Sequence, residues 1–104
     1  MHAVFRETTY APEDDVVDSD AFGEFQRVHA SREGYRGTVV AHVGGGRLLT
    51  VTLWESADAM NAAREALGPV VGRLLDPRMT APAVLLGTGR VVVNDMVPER
   101  TNRR

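Results

Sequence analysis

Adjacent apolar residues occupy both parities of every β-forming run in this chain: Val39 with Val40, Leu48 with Leu49, Leu85 with Leu86, and Val91, Val92 and Val93 in succession. Successive side chains of a strand point to opposite faces of a sheet. A sheet built from these runs is therefore apolar on both surfaces, whereas an antiparallel sheet with one face in water alternates apolar and polar residues. Whatever this chain folds into has to cover two faces of one sheet.

The runs fall into a definite order. Residues 2–9, with Val4, Phe5 and two threonines, read as a first strand. Residues 11–18 carry Pro12 and the acidic cluster Glu13, Asp14, Asp15 and Asp18, which predicts a solvated loop. Asp18 or Ser19 can cap a helix whose first turn holds Asp20, and Phe22, Phe25, Val28 and His29 give it one apolar face before it ends near Gly34. Residues 35–43 and 47–54 are β-forming, and Gly44, Gly45 and Gly46 between them predict a hairpin. Ser56 can cap a second helix over residues 57–67, with Ala59, Met60, Ala63 and Leu67 as its buried stripe and Gly68 and Pro69 as its stop. Val70, Val71, Leu74 and Leu75 suit a separate short helix ending before Pro77. Residues 84–94 predict the last strand, with Gly87 and Gly89 at bulges or bends, and residues 97–104 a flexible polar tail.

The order strand, helix, strand, strand, helix, strand is the α+β, ferredoxin-like βαββαβ arrangement, a single domain over residues 1–96. Two helices can cover one face of such a sheet. The other face, apolar as well, predicts a second copy packed sheet to sheet, with C2 symmetry as the commonest arrangement.

Composition removes several chemistries. All twelve basic residues are Arg, so no lysine is present to form a Schiff base, and the absence of Cys removes disulfides, thiolate nucleophiles and thiolate-held metals. A net charge of -2 supplies no basic excess for nucleic acid. No apolar run approaches the roughly 20 residues that a bilayer requires, and no secretory signal opens the chain, so membrane association is not expected and a cytoplasmic address is. His2, His29 and His42 are too dispersed to form a metal motif. The glycines at 44–46 and the Gly87-Thr88-Gly89 run open no helix and do not make phosphate loops.

Residues 33–37, Glu-Gly-Tyr-Arg-Gly, lead into the hairpin, and residues 48–56, Leu-Leu-Thr-Val-Thr-Leu-Trp-Glu-Ser, run into an alanine-rich helix. Together they resemble the dimeric α/β barrels of the antibiotic biosynthesis monooxygenase superfamily, a likeness that spans about residues 1–94. The resemblance implies a ferredoxin-like protomer, a homodimer through the sheets, and a pocket between sheet and helices in each protomer. Members of that superfamily include oxygenases that convert polycyclic phenols to quinones without metal or flavin, haem-degrading enzymes, and proteins with no established activity. Of the quinone-forming pattern only Trp54 carries over: where that pattern has an asparagine and a tyrosine, this chain has Thr50 and Met60. The haem-degrading pattern has a histidine where Arg64 stands here and an asparagine in the first strand, which this chain lacks.

The candidate catalytic residues are Trp54, whose indole N–H could hold a substrate oxygen, and His29, a proton acceptor on an apolar helix face. Thr50, Thr52, Phe25, Met60 and Tyr35 are the candidate substrate-binding residues, with no metal and no cofactor. Each has a plainer reading: a tryptophan ending a buried strand is more often core, a helix histidine is more often a satisfied core group, and Tyr10 and Tyr35 suit boundary packing. Two functions are thus expected as alternatives. One is a cofactor-independent monooxygenase acting on a small aromatic or polyketide-like compound; the other is a non-catalytic dimeric ligand-binding or interaction module of the same fold.

Overall fold

The computed structural model describes residues 1–96. Its strands are β1 (His2–Tyr10), β2 (Tyr35–Gly44), β3 (Arg47–Trp54) and β4 (Met79–Arg90), and its helices are α1 (Asp20–Ala30) and α2 (Ala57–Leu74). Short 3-10 turns at Val16–Asp18 and Asp76–Arg78 precede α1 and β4. The sheet order is β2-β3-β1-β4 with every neighbouring pair antiparallel, which is the α+β ferredoxin-like arrangement. The polar tail expected at residues 97–104 lies outside the described residues.

Local chemistry sets most boundaries. The Ser19 hydroxyl accepts from the Phe22 amide at 3.1 Å and Ser56 accepts from the Ala59 amide at 3.1 Å, so each helix begins on a serine that satisfies an otherwise orphaned N–H. The β2–β3 reversal is made by Gly44, Gly45 and Gly46, all at positive φ. The acidic segment before α1 is not wholly solvated, because Val16 packs with Tyr10 and Leu48 in a buried cluster. Asp14 accepts two hydrogen bonds from Arg78, at 3.2 and 2.5 Å, and ties that segment to the turn before β4.

Two expected boundaries are corrected. Pro69 does not end the second helix; α2 runs unbroken to Leu74 with the proline inside it. An interior proline costs about 3 kcal/mol through its missing N–H and its clash with the carbonyl four residues earlier. Here that carbonyl belongs to Glu65 on the exposed side, where water can take it up. Leu67, Val71 and Leu75, spaced by fours, meanwhile carry the apolar stripe across the sheet, and their burial outweighs the local cost. The last strand is displaced too, starting at Met79 and ending at Arg90. Its register begins at Tyr10↔Met79 and closes at His2↔Arg90, so Val91 meets only the Met1 carbonyl (2.9 Å), and Val92 and Val93 have no β1 left to pair with. Pro82 is accommodated because β4 is an edge strand and the register skips there.

Even-numbered residues of β1 and β3 face the helices. At the two ends of this inner face stand two apolar clusters, one of Val4, Trp54, Met60, Ala63 and Leu67, the other of Tyr10, Val16 and Leu48. The middle of the face is not apolar as the residue pairs suggested: Arg6, Thr8, Thr50 and Thr52 occupy it, with Thr38 beside them. The outer face carries Phe5, Val39, Leu49 and Val84, all substantially exposed, and the Glu7–Arg47 ion pair at 2.6 Å.

Candidate functional site

Between the two clusters a cavity of about 360 Å³ opens under the helices. The polar midline of the sheet is its floor, and Phe22, Phe25 and His29 of α1 and Leu67 and Val71 of α2 are its walls. The arrangement follows from three strand parities and one helix stripe. Threonines at positions 38, 50 and 52 leave room that larger apolar residues would fill, so the helices close over the ends of the sheet and stand off its centre.

His29 is the hub of the Trp54 end. Its ring stacks on Phe25 with centroids 5.0 Å apart, meets Tyr35 edge-on at 5.2 Å and Trp54 at 5.6 Å, and Tyr35 meets Trp54 edge-on at 5.7 Å. Nδ1 lies 3.1 Å from Oε1 of Gln26. With Nδ1–H donating to that amide oxygen, the tautomer assigned from the hydrogen bond leaves Nε2 as an acceptor. From Tyr35 a hydroxyl chain runs along the floor: Tyr35 donates to Thr38 Oγ1 at 2.9 Å, and Thr38 to Thr52 Oγ1 at 3.4 Å.

Burial, and after it the positive charge of Arg6, hold the His29 pKa down to about 4. The imidazole is therefore neutral at physiological pH. Because the folded value lies below the unfolded 6.5, the unfolded chain binds a proton that the folded chain excludes between these limits. The stability due to this group is fully present above pH 6.5 and is lost as pH falls toward 4, by about 3 kcal/mol across that window. Urea midpoints measured from pH 7.5 down to 4.5 are expected to fall for the native chain and to be nearly flat for His29→Phe; equal slopes would show that another group carries the dependence.

Of the candidate residues, Phe25, His29, Thr50, Thr52 and Trp54 line the same cavity. Tyr35 packs behind them, against His29 and Trp54. Met60 does not reach the space; it is buried in the cluster with Trp54, Ala63 and Leu67, because its position on α2 points at the sheet end and not at the midline. Tyr10 is a lining residue at the far end, almost fully buried, and burial raises its pKa. The lining also includes Arg6, Arg64, Gln26 and Thr38, which sequence reasoning passed over. Arg6 could have been found: it stands between Val4 and Thr8 on the inward parity of β1, a charge where a core residue is due. Burial, and then the charge of Arg64, pull its pKa below the ordinary value, although it stays protonated. Among the described residues no three acidic or histidine side chains converge as a metal site, and no helix is long and apolar enough to cross a membrane.

No protein-family profile matches the sequence, and no curated relative does. Solved structures do. Rv0793 from Mycobacterium tuberculosis superposes with a TM-score of 0.70 at 13% identity, covering 91% of this chain and 98% of that one. A candidate antibiotic biosynthesis monooxygenase from Bordetella bronchiseptica gives 0.69 at 13% identity over 88% and 97%. SnoaB, a cofactor-independent oxygenase from Streptomyces nogalater, gives 0.63 at 17% identity over 94% and 96%. The strand order, the two helices on one face and these superpositions agree: the chain has the fold of the antibiotic biosynthesis monooxygenases.

Proposed function

We propose that the chain is a cofactor-independent, monooxygenase-like protein that takes a small aromatic or polyketide-like compound into the cavity and acts in the cytoplasm as a homodimer. The observation that carries this reading is a neutral imidazole, His29, set among Phe25, Tyr35 and Trp54 on the wall of that cavity, in a fold shared with a cofactor-independent oxygenase. The overall change would turn an activated methylene into a carbonyl, with one atom of dioxygen entering the product and the other leaving as water together with the two methylene hydrogens. Nε2 of His29 accepts the proton of the phenol or activated methylene, the resulting anion reduces oxygen, and the indole N–H of Trp54 with the Thr50 hydroxyl hold the oxygen atoms. A conjugate acid with a pKa near 4 makes His29 a weak base on its own. The positive field of Arg6 compensates, since a guanidinium beside the nascent oxyanion lowers the pKa of the substrate itself.

Oxygen uptake by metal-free protein with an anthrone or a dihydroxynaphthalene tests this. Turnover is expected for the native chain, with a loss of about a hundredfold or more in His29→Phe and a smaller loss in Trp54→Phe. Native uptake no greater than that of either variant would count against catalysis. If the aromatic compound still bound, that result would favour the second reading, a ligand-binding module, which the low basicity of His29 also supports.

A further inference from the structure

Two guanidinium groups share the cavity. Arg6 rises from the middle of β1 and is half-buried; Arg64 comes from α2 and is exposed at the mouth. Ion pairs among the described residues engage Arg36, Arg47, Arg73 and Arg78, and neither Arg6 nor Arg64 has a carboxylate partner among them. Asp76 also lines the cavity, but beside Tyr10 at the far end of β1. Burial and then the like charge of Arg64 both act against the Arg6 cation, and a partly desolvated cation without a partner is costly. A fold that only needed to fill this position had Thr, Val or Leu available, as on the neighbouring strands.

We infer that the cavity selects ligands bearing an acidic group, a carboxylate held between Arg6 and Arg64, with the attached aromatic ring lying against Phe25, His29 and Trp54. The inference rests on the ligand-binding reading above and adds the charge of the ligand to it. Two guanidinium groups lining one cavity, one from the sheet and one from α2, suit the oxygens of a carboxylate, and partial exclusion of water strengthens the contact.

Calorimetric titration with 2-naphthoate and with 2-naphthamide, the uncharged isostere, tests the inference. The native chain is expected to bind the carboxylate about tenfold more tightly or better, with affinity falling as salt is raised. Arg64→Gln should reduce that preference and Arg6→Gln/Arg64→Gln should erase it, while the melting temperature holds or rises because a like-charge contact is removed. Should Arg6→Gln fail to fold, Arg64→Gln, at an exposed position, still reads the preference. Equal affinity for the two compounds in the native chain, or a preference that survives the double substitution, would overturn the inference while leaving the ligand-binding reading standing. Binding of neither compound would remove both.

Discussion

Replacing Gly46 with alanine is expected to cost about 4 kcal/mol of folding stability, a large share of what a domain of this size has. Gly46 adopts φ +78, which alone costs an L-residue about 1 to 2 kcal/mol. The larger part is steric: a methyl group there would overlap the Tyr10 carbonyl oxygen and lie 3.1 Å from Tyr10 C and 3.2 Å from Pro12 N. These are backbone atoms, and they are held because the Tyr10 amide donates to the Gly46 carbonyl at 2.8 Å. Gly45 is the internal control. Its φ is +65 but nothing lies within 4 Å of the added carbon, so Gly45→Ala should lose only the conformational part. Denaturant titration of both variants checks the difference, and equal losses would mean that the end of β1 yields to the intruding methyl.

Phe5→Glu is expected to convert the proposed homodimer to a monomer, raising the dissociation constant by about a thousandfold, or ~4 kcal/mol. Phe5 lies on the outer face between Val51 and Gly87, and it is 45% exposed, with Val39 at 46% and Val84 at 47% around it. A symmetric interface would bury two such carboxylates at once, in a patch otherwise made of Val39, Leu49 and Val84. Light scattering should give twice the 11.3 kDa chain mass for the native protein and that mass for the variant. A native chain that is already single at micromolar concentration would defeat the proposal. An unchanged melting temperature of the dilute variant would separate lost pairing from lost folding.

How much of this was legible beforehand differs by element, for physical reasons. The hairpin was readable because three consecutive glycines between β-branched runs admit few other conformations, and the serine caps because their hydrogen bonds are local. The α2 extension was not, since whether Pro69 breaks a helix depends on what Leu67, Val71 and Leu75 find to pack against, a tertiary fact. The last strand was misplaced for the same reason: Val91, Val92 and Val93 have high β propensity, but pairing stops where β1 runs out. At the site, period groups Thr50, Thr52 and Trp54 on one strand face and Phe25 with His29 on one helix face, but that these two faces enclose a pocket was implied by the family resemblance and not by spacing. Arg6 and Arg64 meet only through the fold, far apart in sequence, and Met60 was expected at the pocket because a stripe does not say which of its members stands over a gap.

Pro82 on β4 has a bearing on how copies of the chain can add to one another. That border of the sheet offers a residue with no N–H and three register irregularities along its pairing with β1, so an approaching extended segment would find neither a continuous row of donors nor a straight rail to follow. Growth from this side into ribbons or fibrils is thereby discouraged, even though the flanking Leu85 and Leu86 are sticky. The proposed homodimer, made by stacking broad surfaces, would in contrast limit the number of partners to one.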